Sequence, residues 1–164
     1  MTDIASTIQV YRIVIKATAQ SIWDAITTPE WTERYGYGGR AEYELTIDGK
    51  FSHKASAEMK SFGMPDEIIV GHVVASDPPG KLTQTWHPLF CAGTTAEPHT
   101  RLTYEINENQ GGVCTVTITH DVAGAPIVAS MVAGGGDPAQ GGGGWPWILS
   151  DLKSLLETGK RMSA

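Results

Sequence analysis

Basic residues are scarce: 12 Lys and Arg stand against 18 Asp and Glu, for a net charge of −6. A phosphate-binding surface needs a basic patch. The one adjacent basic pair is Lys160–Arg161, at a C-terminal end expected to fray. Nucleic acid and anionic membrane are therefore not expected partners. No stretch approaches the ~20 apolar residues that span a bilayer, so no membrane insertion is expected. The start, MTDIASTIQV, lacks the basic end and apolar run of a signal peptide. Cysteine is scarce too. Cys91 and Cys114 lie far apart with no pairing pattern, which fits a reduced, cytoplasmic protein.

Motifs for metal, phosphate and nucleophilic chemistry are also missing. The histidines (His53, His72, His87, His99 and His120) form no His-x-x-x-His pair and have no CxxC neighbour. Neither a metal nor another cofactor is expected. Ser56, Ser76 and Ser130 lack the strained Gly-x-Ser-x-Gly setting. The paired carboxylates Glu42/Glu44 and Asp66/Glu67 read as solvated. Gly134 to Gly144 holds seven of the 19 glycines, yet has no Gly-Lys-Ser/Thr ending and no strand feeding it. It reads as a flexible linker. Gating of a pocket is the functional alternative, because the run leads straight into the last helical segment.

What is present is a long series of strand signals. In residues 8–16 (IQVYRIVIK), Tyr11, Ile13 and Ile15 alternate with Val10, Arg12, Val14 and Lys16, the period of a strand. The period changes over residues 19–35. Ile22, Trp23 and Ile26 mark a short amphipathic helix, and after Pro29 a second one carries Trp31 and Tyr35. Gly36, Gly38 and Gly39 break the pattern. Antiparallel strands then fill residues 40–122. They are expected at 40–48, 50–58, 66–76, 81–87, 100–107 and 112–121. Asp48–Gly49 signals a two-residue hairpin, while Asp77–Gly80 and Gln110–Gly112 signal turns. Residues 126–133 suit one short helix.

Residues 145–159 (WPWILSDLKSLLETG) form an amphipathic helix by spacing. Trp145, Ile148, Leu149, Leu152, Leu155 and Leu156 share one face; Ser150, Asp151, Lys153, Ser154 and Glu157 take the other. Pro146 suits the first turn and Gly159 the C-terminal cap. Burying six large apolar side chains is worth at most about 9–18 kcal/mol. Ordering the backbone costs ~1–2 kcal/mol per residue. The helix is marginal alone and must dock, and the concave face of a curved sheet is the surface large enough. The fold class expected is α+β: an antiparallel sheet of about six or seven strands wrapped around a long C-terminal helix, in a single domain over residues 1–164.

Three stretches together resemble a known family. VYRIVIKATAQSIWDAITTPEWTERY, TRLTYEIN followed by CTVTITHDVAG, and GGWPWILSDLKSLLETG resemble the heat-shock-protein-90 ATPase-activator-like branch of the START-like (SRPBCC) superfamily. The resemblance spans nearly the whole chain and is carried by order and spacing, not by a catalytic motif. It implies a helix-grip fold with a cavity between sheet and final helix, and a hydrophobic ligand in many members. Chemistry occurs in only some members. Chaperone activation goes with members that carry a further domain, so a chaperone ranks behind a small apolar molecule as the expected partner.

Strand parity and helix spacing give the candidate lining. Tyr43, Phe51, His53, Trp86 and Tyr104 are expected to point toward the helix, and Trp145, Ile148, Leu149 and Leu152 to point back. For each aliphatic residue, filling the core is the simpler reading. His53 shares a face with Phe51 and Ala55, and His120 shares parity with Cys114, Val116 and Ile118. Each could orient a ligand or act as a base, or be satisfied by a tyrosine or the backbone. Three functions stay open: a non-enzymatic binder of an apolar or aromatic small molecule or lipid, a cyclase-, hydratase- or isomerase-type enzyme using a pocket histidine, and a protein-interaction module. A second copy of the chain is a further candidate partner through an edge strand or an exposed tryptophan.

Overall fold

Residues 7–162 are described in a computed structural model; the first six residues of the stretch read for a signal peptide lie outside them. Among these residues seven strands form one antiparallel sheet. They are β1 (Ile8–Ile15), β2 (Arg40–Tyr43), β3 (Lys50–Lys54), β4 (Glu67–Asp77), β5 (Lys81–Pro88), β6 (Thr100–Glu108) and β7 (Cys114–Asp121). The order is β1-β7-β6-β5-β4-β3-β2. Strands β2 to β7 meander, and β1 joins beyond β7, in a register running from Ile8↔Asp121 to Ile15↔Cys114. The chain leaves β1 on one edge and re-enters at β2 on the other. Helices α1 (Ala19–Thr27) and α2 (Pro29–Thr32) make that crossing. Thr18 starts α1 by accepting the Ser21 backbone N–H at 3.1 Å.

Past the sheet come the short helix α5 (Pro126–Ala133) and the long helix α6 (Gly144–Thr158). Its Trp145, Leu149, Leu152 and Leu155 are buried in a core with Ile22 and Trp23 of α1 and Leu82, Leu102, Val116 and Ile118 of the sheet. Gly159 ends the helix in the left-handed region, φ 78°, its N–H bonded to Leu155 O at 2.8 Å. α6 also covers the outer end of β1. Lys153 Nζ donates to Val14 O at 2.7 Å, and the Lys16 N–H donates to Glu157 Oε2 at 3.0 Å. Side chains thus occupy backbone groups that an edge strand leaves open. The fold is α+β and helix-grip: an antiparallel sheet holding a C-terminal helix.

Several segments differ from expectation. The strand expected over 40–48 ends at Tyr43. Asp48 takes φ 63°, and the Asp48 N–H and Gly49 O pair with Val73 of β4, each at 2.8 Å. The turn leans on β4 and leaves Ile47 exposed rather than aligned with Tyr43. The strand expected over 50–58 ends at Lys54, and residues Ala57–Ser61 form a helix, α3. Ser56 caps it by accepting the Met59 N–H at 3.2 Å. A further short helix, α4 (Ala92–Ala96), sits between β5 and β6, its first turn closed by reciprocal bonds of Cys91 and Thr94. The Gly134–Gly144 run is folded, not a free linker. It contains a 3-10 turn at Pro138–Gln140 and is closed by Gly142 N–H to Asp137 O at 2.8 Å and Gly136 N–H to Gly142 O at 3.1 Å.

Two charged residues also sit where spacing did not put them. Asp151, assigned to the polar face of α6, is fully buried. Its carboxylate accepts the Gly36 N–H at 2.8 Å and the Met162 N–H at 2.6 Å. Arg161, expected to fray, lies 3.4 Å from that carboxylate and donates to Gly36 O at 2.6 Å. Two backbone N–H groups and the nearby guanidinium compensate the cost of burying one charge.

Candidate functional site

Between the sheet, α3 and the start of α6 lies a partly open cavity of about 120 Å³. Its walls come from five strands. β2 supplies Ala41 and Tyr43, β3 Phe51 and His53, β4 Ile68 and Ile69, β5 Trp86, and β6 Tyr104. α6 contributes Trp145 and Ile148, α1 Ile26 and α3 Met59. Thr32 of α2, the loop Tyr35-Gly-Tyr-Gly-Gly39 and Phe90 complete the lining. No Lys, Arg, Asp or Glu side chain is among these residues. Seven of the ten residues proposed from parity and spacing are brought together here: Tyr43, Phe51, His53, Trp86, Tyr104, Trp145 and Ile148.

The other three, His120, Leu149 and Leu152, are outside the lining. Leu149 and Leu152 face the core, 5% and 2% exposed, because one helical turn below Trp145 the stripe already meets close-packed sheet residues. His120 is fully buried behind Trp145. The Trp145 indole N–H, which can only donate, gives its hydrogen to His120 Nδ1 at 3.1 Å. His120 Nε2 therefore carries the proton and donates to Thr100 Oγ1 at 2.8 Å, and Thr100 in turn donates to Trp86 O at 2.8 Å. Burial lowers His120 to about 4, so the ring is neutral near pH 7. Both nitrogens are used, and the histidine serves to hold Trp145 at the cavity wall.

The polar side-chain groups at the cavity are four phenols, the Trp86 and Trp145 indoles, the Thr32 hydroxyl and one imidazole. Tyr35 donates its hydroxyl to Ala25 O at 2.8 Å, and Tyr43 donates to Gln84 Oε1 at 2.6 Å. Tyr104, also of the cavity wall, has no acceptor for its hydroxyl among the described residues. Its ring meets Trp145 edge to face, with centroids 6.1 Å apart. Burial raises these three phenols above their ordinary value, as it does the fourth, Tyr37 of the loop, and Tyr104 adds to the rise at Tyr35 and Tyr43. The three hydroxyls thus stay protonated around one space. Burial also lowers His53 to about 4, opposed by the adjacent Gly39 backbone. A Cβ on Gly39 would fall 2.3 Å from His53 Nε2, so only glycine lets the ring sit there.

Sequence reasoning missed the Tyr35–Gly39 loop, although its aromatic–glycine alternation was legible. Gly36 of the loop is bonded to Asp151, and Tyr37 is bonded to the glycine run: its hydroxyl donates to Pro138 O at 3.1 Å and accepts the Gly143 N–H at 2.9 Å. Gln84 was missed as well. It shares parity with Leu82 and Trp86, and a lone amide on an apolar face was a usable signal. Among the described residues, no group of three or more His, Cys, Asp or Glu side chains is placed to hold a metal ion. Nor is any helix there long and apolar enough to cross a membrane.

A helix-grip sheet with a space left between it and its last helix defines a protein of the START-like class. The chain belongs to one family within it: the model of the Activator of Hsp90 ATPase homolog 1-like protein family matches residues 16–157. Solved structures of similar fold include DynU16, from the dynemicin biosynthetic locus, with TM-score 0.67 and 20% identity over 96% of this chain and 49% of that one. CalU16 from Micromonospora echinospora aligns with TM-score 0.62 and 17% identity, over 92% of this chain and 65% of that one. The Aha1 dimer from Colwellia psychrerythraea aligns with TM-score 0.61 and 15% identity, over 93% of this chain and 98% of that one. This chain thus spans less than two thirds of DynU16 and CalU16. A comparison with curated proteins found no match.

Proposed function

We propose that the protein binds a small, uncharged, mostly apolar ring compound in this cavity, without transforming it. The observation that carries the reading is the lining itself: Tyr43, Phe51, Trp86, Tyr104 and Trp145 surround about 120 Å³ with no charged side chain. A dry apolar cavity of about 150 Å³ takes up a benzene-sized guest. The space here is somewhat smaller but partly open, so a one-ring compound would occupy it with any substituent toward the open side. Filled core would leave no such space, and apolar cavities with a few placed polar groups are the usual ligand sites. The test is thermal denaturation with one-ring probes, supported by native mass spectrometry of freshly purified protein. A probe at a hundred times its Kd adds about 2.7 kcal/mol, a rise in Tm of roughly 5–10 °C for a chain of this size. Absence of any rise, with no co-purifying lipid or aromatic, overturns the reading.

An enzymatic reading has one observation in its favour. His53 lines the cavity and is neutral near pH 7, as a general base must be. Replacing His53 by Ala separates the two: a binder keeps its ligand with altered affinity, and an enzyme loses turnover.

For a macromolecular partner we propose a second copy of the chain, meeting through the outer face of β1. Val10 and Val14 are 47% and 49% exposed on that face. The relative from Colwellia psychrerythraea is a dimer by its description. Chaperone activation is named in the family's description and ranks behind this pairing.

A further inference from the structure

The cavity's own hydrogen bonds limit what kind of guest it takes. Three of its four phenolic protons are used by the protein: Tyr35 gives its proton to Ala25 O, Tyr37 to Pro138 O and Tyr43 to Gln84 Oε1. The fourth belongs to Tyr104, a residue of the cavity wall whose hydroxyl meets no acceptor among the described residues. A guest that covers this partly buried donor without accepting from it leaves the donor unmatched, which costs affinity, and a guest that accepts from it does not. The aromatic contact with Trp145 holds the ring in place, and Trp145 is itself tied to His120. The donor is therefore aimed before any guest arrives.

Charge limits the guest as well. No cationic side chain is in the lining to match an anion. The one imidazole there, His53, lies against Gly39 and is kept neutral near pH 7 by burial. A carboxylate entering this space would lose its water without gaining an ion partner. A neutral oxygen or nitrogen acceptor loses less water and gains the Tyr104 hydrogen bond.

We infer that the guest is a neutral ring compound bearing a hydrogen-bond acceptor, such as a carbonyl, and that this acceptor takes the proton of the Tyr104 hydroxyl. The inference rests on the ligand-binding reading above and deepens it by naming the ligand class and the residue that selects it. Discrimination comes from the same source as in any site built around a polar group: an analogue without the acceptor fills the space but leaves the donor unmatched.

The experiment uses three probes of one shape: acetophenone, α-methylstyrene and benzoate. They differ in carrying a carbonyl, a methylene or a charge at the same place. Calorimetric titration of the wild-type chain should find acetophenone about tenfold tighter than α-methylstyrene, and benzoate should not bind. In Tyr104→Phe the acetophenone advantage should vanish while α-methylstyrene keeps its affinity. The carbonyl stretch of bound acetophenone should lie at lower frequency in wild type than in the variant, which a merely structural role for Tyr104 would not produce. The wild-type comparison stands even if the variant folds poorly. Equal binding of acetophenone and α-methylstyrene overturns this inference and leaves the ligand-binding reading intact; so would a bound water that satisfies Tyr104 for either probe. Tightest binding of benzoate overturns it through the charge. Failure of all three probes to bind counts against the ligand-binding reading as well.

Discussion

The Asp151 carboxylate of α6 accepts the backbone N–H of Gly36 at 2.8 Å, across 115 residues of chain. That bond joins the gripping helix to the Tyr35–Gly39 loop, which forms part of the cavity wall. Met162 and Arg161 close on the same carboxylate, so helix, loop and C-terminal segment meet at one buried charge. The cavity's outline depends on an anchor that touches no guest.

Removing the anchor should be costly. Asp151→Ala leaves two backbone N–H groups without their acceptor and takes the ion partner from Arg161, which keeps Gly36 O, a loss of ~3–5 kcal/mol in all. The expected fall in Tm is roughly 6–20 °C, read by calorimetry. Asp151→Asn retains an acceptor for Gly36 and should fall less. A change under about 2 °C for the alanine variant would show that the carboxylate is dispensable.

Acid should weaken the fold through His120. Its folded value is about 4 against 6.5 unperturbed, so between these values the unfolded chain binds more protons. Stability is full above pH 6.5 and is lost as pH falls toward 4, by roughly 3 kcal/mol for this residue alone. His53, lowered in the same way, adds to the loss. Urea denaturation from pH 7.5 to 4 should show the decline. His120→Gln, which cannot titrate, should be less stable at pH 7 and flatter across the range; an unchanged slope would exclude His120 as the cause.

Gly39→Ala tests the mouth of the cavity. The added methyl would overlap His53 Nε2, and the ring must turn away from the Gly39 backbone. Freed of burial, the imidazole should titrate nearer its ordinary value, which NMR of the histidine ring protons would follow. Probe affinity should drop at the same time. An unchanged titration would mean the ring accommodates the methyl without leaving its place.

Filling the cavity is the complement to probing it. Ile148→Phe places a larger side chain at the half-buried lining position of α6. The probe-induced rise in Tm should shrink to under about 2 °C, while the unliganded Tm stays within about 5 °C of wild type. A full rise in the variant would place the guest elsewhere.

The outer face of β1 can be tested apart from the cavity. Val10→Lys with Val14→Lys puts like charges on both copies of the proposed contact. Sedimentation should show wild type as a dimer at tens of micromolar, on the order expected for a modest interface, and the variant as a monomer with unchanged probe binding. A monomeric wild type ends the proposal.

Much of the fold could be read along the chain because it is repetitive. Alternation in Tyr11, Ile13 and Ile15 and the spacing of Trp145, Leu149, Leu152 and Leu155 each repeat a local geometry several times over, and repetition outweighs single exceptions. The errors fell where one residue decides. Ser56 turned a strand into α3, and the Asp48–Gly49 backbone paired with β4 instead of extending a hairpin. Asp151 lies three residues after Ile148 and four before Leu155, within the buried stripe, yet its charge suggested the opposite face. At the site, parity brought the sheet aromatics together but could not separate cavity from core: Leu149 and His120 point inward like Trp145, and only their neighbours in space close over them.

By itself, then, the order of apolar and polar residues determined the strand and helix periods, the antiparallel meander and the need for a docked last helix, since these follow from burying one face of each element. The tertiary structure decided that β1 lies beside β7, that Asp151 is buried, that His120 is spent on Trp145, and that a space remains beside Tyr104. Those outcomes depend on which distant side chains fill the same volume, and periodicity along one chain carries no information about distance across the fold.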